Sequence, residues 1–482
     1  MQGGSSQQQQ IPAQWLRQVM EDDDAEPPRL YAWTLKDLTL SSSLNGTGAG
    51  AGVRDVISKK AENNDDADDN ARRRRIYILG VGNMGRLYAT CLSKLANPPP
   101  ITLVVHRKEL LEHWAAEPGI ELTRHGQVHR SADFDIEWWT EKKPPPLSSN
   151  SSDEVQGEVE MEVEVAGGRK INNIIIATKA SDAMPQVDRL RRYLDAESTV
   201  AFTQNGMCKL WPPLGEAYVR TRFPEEGESP NWIVCVTTHG VYSQGPFKSV
   251  HAAPATALVG PVMIPAARGE GVGGEERDDM AMGNYLMQQI ANAPDLDARR
   301  VSKKELWIAQ LEKLVVNAVI NPLTAVLRCK NGEIFTSRND KLPAVIDSLL
   351  REASAALSAL VADSKSDDIL LSGGAAVSEG SPASTGESLQ AIREQLLDRF
   401  SFPRLRKMVL GVGEKVAENT SSMAQDMRAG KETEIDDMNG WLVDTARVLD
   451  KGPRLPTHEK LIKLVKARVE LTREELCARL LG

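Results

Sequence analysis

IYILGVGNMGRLYATCLSKL, residues 76–95, decides the fold of this chain. A short apolar run, Ile76 to Leu79, leads into Gly80-x-Gly82-x-x-Gly85 and then into a stretch with helical spacing. That order, strand then glycine loop then helix, is the context in which such a loop holds a dinucleotide. Gly80 permits the tight turn, Gly82 lets the backbone approach a pyrophosphate, and Gly85 lets helix and strand pack closely. Asn83 and Met84 fill the loop between them, and the phosphates would meet free N–H groups at the helix N-terminus. A merely glycine-rich turn is the bland alternative.

The next strand-like run, ITLVVHRKE (101–109), bears on the cofactor. An NAD site usually places Asp or Glu there, to hold the ribose 2′-hydroxyl. Here the positions carry His106, Arg107 and Lys108. A carboxylate would repel a 2′-phosphate, whereas a guanidinium binds it with charge-assisted hydrogen bonds. The expectation is NADP(H), with Arg107 as main contact and Lys108 as helper; an Arg107 turned to solvent would leave NAD.

Working outward, NNIIIATK and TVAFTQ are further apolar runs ending in polar residues, as in strands buried on both faces of a parallel sheet. Their ends carry Lys179 and Gln204-Asn205-Gly206. Ligands of such sheets bind outside the carboxyl ends of the strands, so these residues are candidates for the site. Lys179 alone reads equally well as a snorkelling strand-end cation. WIVCVTTHGVYS and ATALVGP read as a hairpin closing this half.

Residues 72–300 therefore read as a Rossmann-type domain and 301–482, with long helical periodicity, as an all-helical domain. The expected class is α/β plus all-α, with the site in the cleft between the domains. Residues 1–71 look largely like a low-complexity, disordered tail, except that Leu30, Tyr31, Trp33 and Leu35 could dock on the body. The stretches near 142–168, 267–279 and 363–388, rich in Gly, Ser, Pro or acid, read as surface insertions.

The net charge of −9 argues against nucleic acid or an anionic membrane as a general partner. No apolar run reaches the length that crosses a bilayer. The five cysteines are scattered without a CxxC pair, so no metal site is suggested and a reducing compartment, the cytosol, is the default. Import into an organelle stays open. A homodimer is compatible with the sequence, which fixes no oligomeric state.

LEKLVVNAVINPLTAVL (311–327) is almost wholly apolar, yet Lys313, Asn317 and Asn321 fall four apart on one helical face. Such a stripe is either a helix–helix seam whose amides satisfy one another or one wall of a cleft that meets a polar ligand. Asn321-Pro322 predicts a kink near Asn321. Farther on, ENTSSMAQDMRAGKETEIDDMNG carries Ser421-Ser422, then Glu434 and Asp437 one turn apart, then Asn439-Gly440.

At these residues the chain resembles the ketopantoate reductase (2-dehydropantoate 2-reductase) family. The resemblance runs through GVGNMG, ATKASDA, QNGM, TTHGV, ELWIAQLEKLVVNAVINPLTAVLRCKNGE and NTSSMAQDMRAGKETEIDDMNG, and spans residues 76–470 apart from the insertions. It implies NADPH-dependent reduction of ketopantoate to pantoate, toward pantothenate and coenzyme A. Carried over, Lys313 matches the catalytic lysine and Glu434 the substrate-binding acid. Asn317, Asn321 and Ser422 match substrate contacts. Asn205 matches the asparagine between cofactor and substrate, and Lys179 the lysine at the cofactor cleft.

Reduction of a 2-oxo acid needs hydride at the carbonyl carbon and a proton for the developing alkoxide. Lys313 is the expected donor: burial would lower its pKa and Glu434 would raise it. Two other readings stay open, a reductase of another branched 2-oxo acid and an NADP(H)-binding regulatory or scaffold protein on the same fold.

Overall fold

Alternate residues of the central strands feed two different cores. In the computed structural model, which describes residues 16, 26–38, 65–144, 163–212, 214–225, 227–263, 283–372, 388–449 and 451–482, Tyr77, Leu79, Ile174, Ile176, Val200 and Phe202 join one buried cluster. Ile76, Ile78, Ile175 and Ala201 join the other. Successive side chains of a strand point to opposite faces, so unbroken apolar runs are what a sheet covered on both sides requires. The first cluster continues without a break into the helical half, through Trp307, Leu311 and Leu314. The two halves thus share apolar packing.

The described strands are β1 (Tyr31–Trp33), β2 (Ile76–Leu79), β3 (Ile101–Val105), β4 (Ile120–Arg124), β5 (Gln127–Ser131), β6 (Asp135–Thr140), β7 (Asn173–Ile176), β8 (Thr199–Phe202), β9 (Asn231–Thr237), β10 (Gly240–Gly245), β11 (Lys248–Ala253), β12 (Ala257–Met263) and β13 (Ala298–Arg300). Helices of the first half are α1 (Asp65–Arg74), α2 (Asn83–Leu92), α3 (Lys108–Ala116), α4 (Ala180–Arg189), α5 (Leu214–Arg222) and α6 (Tyr285–Asn292). Those of the second half are α7 (Lys303–Leu327), α8 (Leu342–Ala362), α9 (Asp367–Leu371), α10 (Leu389–Arg399), α11 (Phe402–Lys415), α12 (Ser422–Arg428), α13 (Trp441–Val448), α14 (Pro456–Lys466) and α15 (Arg473–Leu481). Sheet domain first, all-helical domain second, is the class read from the sequence.

Among the described residues the main sheet has the order β1-β6-β3-β2-β7-β8-β9-β12-β13. Strands β6, β3, β2, β7, β8 and β9 are parallel neighbours. Their register aligns Leu79 with Val104 and Ile176, Ile176 with Phe202, and Phe202 with Val234. The residues that follow these positions, Gly80, Arg107, Lys179, Asn205 and Thr237, therefore emerge at one edge of the sheet.

Several expectations need correction. The expected antiparallel pairing of WIVCVTTHGVYS with ATALVGP is present, but only the first part of the run takes part in it. The run splits at Thr238-His239: β9 pairs with β12, while β10 swings into a second sheet of order β10-β11-β4-β5. His239, buried at that break, lies 3.0 Å from His251 between ring nitrogens. Two presumed insertions are partly structural. Val163, Glu164 and Val165 bond to Tyr31's strand, and Val165 is fully buried; Ile369 and Leu370 of α9 are core residues. Residues 145–162, 264–282 and 373–387 lie outside the described residues, so the stretch 267–279 is not covered. In the tail the expected docking on the body is present: β1 pairs with β6 and Leu30 is buried.

Helix α7 opens with a capping box in which Ser302 and Glu305 each accept the other's backbone N–H. It runs unbroken through Pro322 to Leu327, where a kink was expected. Proline withholds the N–H that Ala318 carbonyl would receive. Asn439 Nδ2 donates to that carbonyl instead, at 2.9 Å.

Candidate functional site

At the glycine loop the three glycines meet three different constraints. Gly80 has φ +98°, and a Cβ there would lie 2.8 Å from the Ala177 carbonyl carbon. A Cβ on Gly85 would lie 2.1 Å from the Gly80 oxygen. A Cβ on Gly82 would meet nothing within 4 Å, so open space lies over that backbone. Gly82 is also the N-cap of α2 and offers no side-chain acceptor, leaving first-turn N–H groups uncapped by a side chain. Open space beside uncapped donors fits a dinucleotide pyrophosphate. Asn83 Oδ1 accepts from Ser249 Oγ at 3.1 Å, and Met84 packs against the second core.

Arg107 is exposed at the N-cap position of α3. Lys108 is more committed: it pairs with Glu112 at 3.4 Å and sits 6.0 Å from the Trp33 ring centroid. Among the described residues no helix is long and apolar enough to cross a membrane, and no cluster of potential metal ligands occurs.

Across the cleft, Lys313 on α7 points its ammonium at the sheet edge. Nζ donates to Asn205 Oδ1 at 3.1 Å and to the Thr237 carbonyl at 2.6 Å. The amide of Asn205 faces both ways, since its Nδ2 donates to Glu434 Oε2 at 3.4 Å. Glu434 Oε1 accepts from the backbone N–H of Ala180, the first residue of α4, at 3.3 Å. Burial lowers the Lys313 pKa to about 8, with Glu434 opposing that shift. Burial also raises the Glu434 carboxyl above its ordinary value, with Lys179 opposing.

Lys179 is ion-paired with Asp426 of α12 and donates to the Glu432 carbonyl at 3.3 Å. The QNGM loop is pressed against the helical domain: Gly206 has φ +81°, and a Cβ there would lie 2.3 Å from the Asp437 carbonyl oxygen. Gln310, one turn before Lys313, donates to the Gly206 carbonyl at 3.0 Å and accepts from Trp211 Nε1.

The structure thus gathers Lys313, Asn205, Glu434 and Lys179 from both domains. The rest of the stripe is less tightly joined to them. Asn321 is buried, and its Nδ2 lies 3.7 Å from Met438 Sδ. Asn317 is half-buried and makes no side-chain hydrogen bond among the described residues. Ser422 is exposed as the first residue of α12. Its neighbour Ser421 is the engaged one, bonding to Thr324 at 2.7 Å and capping Ala424 N–H.

Sequence reasoning missed Gln310, Asp426 and the Thr237 carbonyl, and it noted Asn439 without a role. A backbone oxygen leaves no trace in residue type. Pro322 was the one available signal, because a proline in a helix frees a carbonyl for another donor. A groove of about 730 Å³ is lined by Lys304, Glu312, Arg399 and Lys407, off this cluster. The chemistry, not the volume, locates the site.

A Rossmann-type sheet facing a half-buried lysine across a cleft defines an NAD(P)H-dependent oxidoreductase. Comparison with known proteins gives the family. The model of ketopantoate reductase PanE/ApbA matches residues 76–263, and that of its C-terminal part matches 305–469. The chain belongs to the ketopantoate reductase PanE/ApbA family.

It is 40% identical over 474 residues to a ketoisovalerate reductase of Gibberella fujikuroi, covering 96% of this chain and 97% of that one. It is 40% identical over 473 residues to a ketoisovalerate reductase of Beauveria bassiana, covering 97% and 98%. A PanE/ApbA family ketopantoate reductase from Ralstonia eutropha superposes with a TM-score of 0.51 at 17% identity, covering 82% of this chain and 98% of that one, a likeness of fold.

Proposed function

We propose that this protein is an NADPH-dependent reductase of a branched 2-oxo acid, with 2-ketoisovalerate as substrate and a 2-hydroxy acid as product. The observation that carries the reading is the hydrogen-bond count at Lys313. An ammonium has three N–H donors. Two are spent on Asn205 Oδ1 and the Thr237 carbonyl, which leaves one for a substrate oxygen.

A bound nicotinamide supplies the hydride. Lys313 then donates a proton to the developing alkoxide. With a pKa near 8 it is mostly ammonium at neutral pH, yet gives up its proton more readily than an ordinary lysine. Asn205 and Thr237 fix the direction of that donor before the reaction begins. Glu434 acts by orienting the Asn205 amide and by balancing charge in the cleft. Asn317, Asn321 and Ser422 hold the substrate's carboxylate end without adding negative charge. For the cofactor, Gly80, Gly82, Asn83, Met84 and Gly85 would hold the pyrophosphate, Arg107 would take the 2′-phosphate with Lys108 as helper, and Lys179 would flank the cleft.

The names of the two 40%-identical relatives favour 2-ketoisovalerate over ketopantoate. One observation keeps ketopantoate as a second reading: the unbonded Asn317 amide offers a partner to a substrate hydroxyl. Steady-state kcat/KM with NADPH, measured side by side on the two acids, decides between them. A ratio of about tenfold or more toward 2-ketoisovalerate supports the first reading, and the reverse ratio supports the second.

A further inference from the structure

Arg86 lies in α2, four residues beyond Gly82, and is only 7% exposed. Its partners are all neutral. Nε donates to the Val81 carbonyl at 2.9 Å, and Nη1 donates to the carbonyls of Gly245 and Lys248 at 2.9 and 2.8 Å. Nη1 also reaches Ser249 Oγ at 3.1 Å and Ser243 Oγ at 3.4 Å. Among the described residues no carboxylate pairs with it, and Nη2 makes no hydrogen bond. Carbonyls satisfy N–H donors but cancel no charge, so a whole positive charge stays buried and uncompensated. Burial lowers the Arg86 pKa to about 10, which still leaves it a cation at neutral pH.

The location of that charge is specific. Side chains of a helix lean toward its N-terminus. Arg86 folds back far enough to bond Val81, the residue between Gly80 and Gly82, so its guanidinium sits against the loop backbone. Its other arm holds Gly245, Lys248 and Ser249 of the β10–β11 hairpin, and Ser249 in turn holds Asn83.

We propose that Arg86 is the buried counter-charge for the cofactor pyrophosphate and that its hydrogen bonds anchor the β10–β11 hairpin beneath the glycine loop. The proposal rests on the dinucleotide reading and is independent of which 2-oxo acid is reduced. It separates Arg86 from Arg107: the pyrophosphate is common to NADPH and NADH, while the 2′-phosphate belongs to NADPH alone.

The test is a fluorescence titration of NADPH and of NADH into the wild-type chain, Arg86→Gln and Arg86→Lys, with thermal unfolding of each in the absence of dinucleotide. Arg86→Gln is expected to weaken both dinucleotides by the same factor, about tenfold or more, the scale of one charge-assisted contact. Arg86→Lys keeps the charge and is expected to bind both within about fivefold of wild type. Three results overturn the proposal: a folded Arg86→Gln that binds like wild type, a loss confined to NADPH, or equal losses in Gln and Lys variants. If Arg86→Gln does not fold, Arg86→Lys decides alone, and a loss of about tenfold or more there overturns the proposal. Wild type that binds neither dinucleotide overturns the cofactor reading as well.

Discussion

Asn205 Oδ1 receives a hydrogen bond from Lys313 Nζ at 3.1 Å, across 108 residues of sequence and across the cleft between the two domains. The same amide donates to Glu434 at 3.4 Å. Asn205 therefore sets where the lysine points and links it to the acid. Asn205→Ala should lower kcat by about tenfold to a hundredfold, the scale of a misdirected acid–base group, with the Kd for NADPH nearly unchanged. Steady-state kinetics beside a binding titration checks this. Equal losses in kcat and cofactor binding would contradict it.

The Lys313 pKa of about 8, against an ordinary 10.5, carries two pH consequences. Turnover should fall as pH rises above about 8, because the donor loses its proton. Stability moves the other way. Between the two values the unfolded chain binds more protons, so stability rises with pH across that window. Below it the fold bears the full cost of a buried ammonium, about 3 kcal/mol. Lys313→Met should therefore raise the Tm at pH 7, with the gain shrinking toward pH 10. Calorimetry at the two pH values tests the sign.

Asn439 Nδ2 is the side-chain donor to the Ala318 carbonyl. Asn439→Ala would leave the carbonyl freed by Pro322 buried without a donor and would also break the bond to His458 at 2.9 Å. A loss of about 2 kcal/mol or more is expected from the first effect alone. Urea unfolding measures it. Pro322→Ala restores the backbone N–H, so in that background Asn439→Ala should cost less.

Arg107 stands exposed at the start of α3, and the proposed NADPH reading assigns it the 2′-phosphate. Arg107→Ala should raise the KM for NADPH by about tenfold or more and leave that for NADH unchanged. Equal effects on the two cofactors would remove the assignment.

Much of this arrangement was legible in the chain. The runs at 76–79, 101–105, 173–176 and 199–202 announced strands buried on both faces, and the glycine loop announced itself because sterics admit few alternatives at Gly80 and Gly85. The stripe of Lys313, Asn317 and Asn321 was visible as three polar residues on a greasy face. What it touches was not visible. Asn205 and Thr237 meet Lys313 only through the tertiary fold, and one of them does so through its backbone. The second sheet was hidden for a different reason. Strand β5, QVHRS, is exposed along nearly its whole length, so it carries no apolar alternation and takes its conformation from pairing with β4. The Asn439–Ala318 bond was half legible: Pro322 says that a carbonyl is free, and nothing local says who takes it.

The most direct test of the account is single-turnover reduction of 2-ketoisovalerate by NADPH-loaded wild type and Lys313→Met, followed by loss of NADPH absorbance. A slowing of about a hundredfold or more in Lys313→Met, with unchanged NADPH binding, is the predicted result. Hydride transfer at the wild-type rate in that variant would contradict the assignment of Lys313 as proton donor.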